Sequence, residues 1–193
     1  VTRMRSGEGG SEHLESRHAV ERILLDGAPE AVALRASMVI GHGSRSFDFL
    51  ASIVERLPVL ALPGWRDNRS RPIDARDVVE YLAQAGTQLP VEGARTFDVG
   101  GATELSYGDM VLRIAELAGT PRPSFGVPLS ITPVASRIGA AIAGEDPGLI
   151  EPLMDSLEYS LIPDDRAALA AFEVEPRPFD EAVRWALEQR ARE

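Results

Sequence analysis

Apolar residues along this chain alternate between two spacings. From Ser11 to about Asp26, Leu14, Val20, Ile23 and Leu24 fall on one helical face, and Gly27 marks a stop. Residues 31–40 (Ala-Val-Ala-Leu-Arg-Ala-Ser-Met-Val-Ile) form a β-rich run ended by Gly41-His42-Gly43. The helical spacing returns over Ser46 to Arg56 with Phe47, Leu50, Ile53 and Val54. Val59 to Leu62, fenced by Pro58 and Pro63, predicts a short buried strand. Asp74 opens a helix to about Ala85 with Ala75, Val78, Val79 and Leu82 on one side, and Arg95 to Val99 is a strand ending in Gly100-Gly101. Ser106 caps the next helix, Asp109 stands three residues on, and Met110, Val111, Ile114, Leu117 and Ala118 form its stripe up to Gly119. Beyond Pro121 the chain is Pro-punctuated and expected to be mainly helical, ending in a helix from Pro178 that buries Phe179, Val183, Ala186 and Leu187.

Helix and strand therefore alternate. That order predicts an α/β layer architecture with a mainly parallel sheet, helices on its faces and a helical tail from about residue 120. Residues 1–10 read as a disordered lead, and 11–193 as a single α/β domain. Only two or three good strands are visible, so the sheet reads as part of a larger one.

Composition narrows the chemistry. All 20 basic residues are Arg, which removes Schiff-base lysine chemistry and Lys-dependent phosphate loops. There is no Cys, so thiol catalysis and cysteine-held metals drop out, and a reducing, cytoplasmic location is expected. With three His (His13, His18, His42), no metal site is expected. The net charge of −10 argues against nucleic-acid and anionic-membrane partners. No apolar stretch reaches the ~18 residues of a membrane span.

Several segments together resemble the C-terminal half of the extended and atypical short-chain dehydrogenase/reductases, the NAD(P)-binding epimerase/dehydratase-like proteins. Leu34 to Gly41 is similar to the strand and turn after their catalytic helix. Arg71 to Val79 resembles their later loop-to-helix element, Phe97 to Gly101 with Ser106 their last core strand and capped helix, and Pro178 to Val183 their C-terminal helix. The resemblance implies the C-terminal part of a Rossmann-like fold with NAD or NADP as cofactor. It also implies that the family's Gly-x-x-Gly-x-x-Gly phosphate loop is missing before residue 11, since Gly7, Gly9 and Gly10 follow no strand and Gly41-His42-Gly43 lacks the third glycine. Independent catalysis is therefore not expected. The expected partner is an N-terminal half encoded upstream, or a second copy that completes the sheet. The alternative reading is a non-enzymatic interaction module built on the same open sheet.

Aligned on the family's catalytic helix, His13 takes the place of the Tyr and Arg17 that of the Lys. His13 then reads either as an acid/base or as a surface residue of a first helical turn. Ala36, Ser37, Met38 and Val39 match the stretch that lines the nicotinamide; the other reading is a strand end packed in the core. Arg66, Arg69 and Arg71, beside Trp65, form either a fork for a substrate phosphate or carboxylate or a solvated loop. Asp74 and Asp77 read as paired acids or as charges favoured at a helix N-terminus, the latter supported by Arg76 between them. His42 reads as a turn residue.

Overall fold

The computed structural model describes residues 12–88, 93–127, 154 and 156–192, with the side chains of Glu12 and His13 excepted. The helices among them are α1 (Glu12–Gly27), α2 (Arg45–Arg56), α3 (Ala75–Thr87), α4 (Tyr107–Leu117), α5 (Arg166–Ala171) and α6 (Phe179–Arg190). The strands are short: β1 (Val32–Ala36), β2 (Val39–Ile40), β3 (Leu60–Leu62), β4 (Arg69–Ser70), β5 (Ile73–Asp74), β6 (Arg95–Val99), β7 (Leu105–Ser106) and β8 (Ser124–Gly126). They pair two by two. β1 runs parallel to β6, β2 to β5 and β3 to β8, while β4 and β7 are antiparallel. β8 lies in the stretch expected to be helical, where Pro121 and Pro123 favour extended backbone.

The extended segments separate two apolar cores. Successive side chains of a strand point to opposite faces. Ile40 accordingly joins one core with Phe47, Leu50 and Val54 of α2, Met110 and Ile114 of α4, and Phe179 and Val183 of α6. Its neighbour Val39 packs instead against the other, built from Ile73, Tyr81, Phe97, Val99, Ala168, Phe172 and Val174. There the Phe172 ring meets Tyr81 and Phe97 edge-on, at centroid distances of 5.2 and 5.0 Å. Edge-to-face pairs of this kind add to simple area burial.

Two helices present a different face from the one their apolar pattern predicts. On α1, Val20, Ile23 and Leu24 are exposed. The side toward the sheet carries Leu14, His18, Glu21 and Leu25. Glu21 explains the orientation: its carboxylate accepts from Arg35 Nε on β1 at 2.8 Å and from the Thr96 hydroxyl on β6 at 2.7 Å. On α3, Val79 and Leu82 are exposed, while Asp77, Tyr81 and Gln84 are buried. Gln84 pairs with the backbone of Glu173 in both directions, at 3.2 and 2.8 Å. Glu21 anchors α1, while on α3 Val78, Tyr81 and Ala85 pack on the core beside the polar anchors Asp77 and Gln84.

Burial pushes the Glu21 carboxyl up, but hydrogen bonds from Arg35, Thr96 and His18 and the Arg35 charge outweigh it, and the pKa falls below its ordinary 4.5. A lowered folded-state pKa contributes stability that is present above the unfolded value and lost as the pH falls through the folded one. Glu21→Gln is therefore expected to destabilise the chain at neutral pH and to approach the parent below pH 4.5. Urea unfolding of both proteins across that range checks it.

Arginines fasten the C-terminal helix. Arg113 of α4 forks onto the Asp180 carboxylate of α6, with Nε donating at 2.9 Å. Arg190 of α6 donates to the Asp48 carbonyl at 3.0 Å and the Ser52 hydroxyl at 2.9 Å, both on α2. Arg122 donates to the carbonyls of Val54 and Glu55 at 3.3 and 3.1 Å, satisfying orphan acceptors in the last turn of α2.

Candidate functional site

After β1 the chain makes a short step, Ser37-Met38, before β2. The step is stitched to residues 71–73. The Ser37 hydroxyl donates to the Arg71 carbonyl at 2.7 Å, and Ile73 N–H donates to the Met38 carbonyl at 2.9 Å. The Ser44 hydroxyl donates back to the Val39 carbonyl at 2.7 Å, closing the turn into α2. His42 sits in that turn beside Gly43, whose φ of +80° is a conformation that favours glycine. Gly41 is required by packing, since a Cβ there would lie 2.6 Å from the Ala75 Cβ.

Of the four residues matched to a nicotinamide wall, Met38 lines a cleft among the described residues. Its companions are Ser46, Phe49 and Leu50 of α2 with Met154, Ser156 and Leu157. Ala36 and Val39 pack against the Tyr81–Phe172 core, and Ser37 is held by the Arg71 carbonyl. The cleft is small and open to solvent, with a volume of about 30 Å³. Its described lining is apolar with two serine hydroxyls, and no charged side chain is among it.

The arginine loop forms one wall's support. Asn68 Nδ2 donates to the Leu157 carbonyl at 2.8 Å, Arg69 N–H to the Ser160 hydroxyl at 3.1 Å, and Leu161 N–H to the Arg69 carbonyl at 2.8 Å. Arg71 completes this seam. Its Nη1 donates to Asp165 Oδ1 at 2.9 Å, Nη2 lies 2.8 Å from Oδ2 as an ion pair, and Nε and Nη2 donate to the Gly101 carbonyl at 3.1 and 2.8 Å. The loop thus runs beside residues 157–165, of which Leu157 lines the cleft.

Arg66, Arg69 and Arg71 all lie near acids of this chain. Each has an acid of its own: Asp67 at 3.5 Å, Glu104 at 2.5 Å and Asp165. Arg66 is further pinned at Gly126, where a Cβ would collide with its guanidinium. The loop is not solvated throughout: its Trp65 is buried, edge-on to Tyr107.

Asp74 and Asp77 are structural rather than paired acids. Asp74 caps α3 by accepting from Arg76 N–H at 2.8 Å and grips the Arg76 guanidinium, which lies 4.8 Å from the centre of the Trp185 ring. Asp77 is fully buried and accepts from the backbone N–H of Arg177 at 2.8 Å and from its guanidinium. Arg177 was not visible as a partner because it lies 100 positions along the chain. The His13 side chain lies outside the described residues; Arg17, one turn along α1, is exposed. Burial pushes the Tyr107 hydroxyl up to about 12, so it holds its proton at neutral pH. Among the described residues no three His, Asp or Glu side chains converge as metal ligands, and no helix is long and apolar enough to cross a membrane.

Solved structures match this arrangement over nearly the whole chain. A dTDP-4-dehydrorhamnose reductase from Bacillus anthracis in complex with NADP matches at a TM-score of 0.59 and 13% identity, covering 91% of this chain and 54% of that one. UDP-galactose 4-epimerase matches at 0.57 and 18%, covering 93% and 51%. TunA, an NAD-dependent NDP-hexosamine 5,6-dehydratase of tunicamycin biosynthesis, matches at 0.61 and 17%, covering 93% and 53%. The chain shares the Rossmann-like α/β fold of these structures. The likeness is one of fold, and the chain spans about half the length of these structures. No family model and no curated protein sequence matches it.

Proposed function

We propose that this chain builds the nicotinamide- and substrate-facing side of an NAD(P)-binding, short-chain-dehydrogenase-like protein, and that these 193 residues do not catalyse by themselves. The observation that carries the reading is the position of Met38. It follows the carboxyl end of β1 and opens into a cleft, and ligands of parallel α/β sheets bind beyond the carboxyl ends of their strands. Neighbours of the same fold are bound to NADPH, NADP or NAD.

The residues present suit one end of such a cofactor. Met38, Phe49 and Leu50 offer the apolar contact a nicotinamide ring needs, and the ring would supply or accept the hydride. For the pyrophosphate no Gly-x-x-Gly-x-x-Gly run exists within the 193 residues, and Gly41 and Gly43 serve a turn packed on Ala75. The phosphate-binding half would come from other residues, in the same chain or another. In this reading His13 and Arg17, one turn apart on α1, stand where the family places its proton donor and ribose ligand. Saturation-transfer NMR with NADH tests the assignment: the nicotinamide protons should receive more magnetisation than the adenine protons. Equal transfer, or transfer to adenine first, contradicts it.

A second reading, an interaction module without its own chemistry, is favoured by the exposed apolar sets Val20, Ile23, Leu24 and Val79, Leu82. Among the described residues β1 pairs with β6 alone, which leaves it open to a further strand. Self-association or a partner chain that completes the sheet would cover these features. Light scattering at rising concentration reads this directly, and a monodisperse monomer throughout contradicts it.

A further inference from the structure

We draw no further inference here: the strongest candidate, the exposed apolar face of α1 carrying Val20, Ile23 and Leu24, is an unpartnered helix face, and nothing in the structure shows what covers it.

Discussion

Gly101→Ala is expected to be among the most damaging single substitutions in this chain. A Cβ at that position would lie 2.0 Å from the Pro72 carbonyl oxygen and 3.4 Å from the Ile73 Cα. Both are backbone atoms next to β5, so nothing flexible can yield. The Gly101 carbonyl meanwhile accepts two hydrogen bonds from Arg71, which ties the same turn to Asp165. Relieving the clash must therefore move the turn and break the seam that supports the cleft. The expected loss is ~3–5 kcal/mol, the range of core overpacking combined with a broken buried network. Gly27→Ala, where a Cβ meets nothing within 4 Å, is the control and should fall within ~0.5–1 kcal/mol of the parent. Chemical denaturation of the two variants checks the contrast. A Gly101→Ala protein as stable as Gly27→Ala would mean that the turn does not pack as described.

Arg177→Ala is expected to destabilise the fold through the group it leaves behind. Asp77 is fully buried on α3, and burial pushes its pKa above 3.8 despite the hydrogen bonds from Arg177. Removing the guanidinium leaves that carboxylate with the Arg177 backbone N–H as its remaining donor from this residue. The expected loss at pH 7 is ~2–4 kcal/mol, just under the usual range for breaking a buried pair because Arg177 is itself partly exposed. The sign of its pH dependence follows from the raised value. Such a group favours the folded state most below its unfolded pKa, and the benefit fades as the pH rises through the folded one. The deficit of Arg177→Ala should therefore shrink toward acid, as that of Glu21→Gln does. Unfolding curves of the parent and of Arg177→Ala at pH 7 and near pH 4 check it. A deficit that grows toward acid would show that Arg177 acts on some other group.

These two sites explain what could and could not be read from the chain. β6 is observed from Arg95 to Val99 as its alternation predicts, and α4 buries Met110, Val111 and Ile114 behind the Ser106 cap, whose hydroxyl accepts from Asp109 N–H at 3.0 Å. Both are long enough for apolar spacing to carry a signal, and α4 is anchored by apolar side chains. β2, β4, β5 and β7 have two residues each, too few for any periodicity. The apolar pattern misses the buried face of α1, held by Glu21, and finds only the Val78 side of α3, where Asp77 and Gln84 are buried and Val79 and Leu82 exposed; a polar anchor is invisible until its partner is known. Arg71 is the sharpest case. Local spacing offers it as a fork for a phosphate or carboxylate or as part of a solvated loop, and cannot show its contact with Asp165, 94 positions away. The resemblance in the strand–turn and loop–helix segments nevertheless pointed to the fold that the solved structures share.

Calorimetric titration of the 193-residue chain with NAD⁺, NADH, NADP⁺ and NADPH tests the central claim most directly. Tight dinucleotide binding needs the glycine loop for the pyrophosphate and a selector for the adenosine ribose. A site made of the nicotinamide wall alone retains few contacts while the full association entropy still opposes binding. The expected affinity is no better than ~1 mM, about −4 kcal/mol, for any of the four. Micromolar binding to one of them would mean that these residues build a complete cofactor site, and would contradict the account.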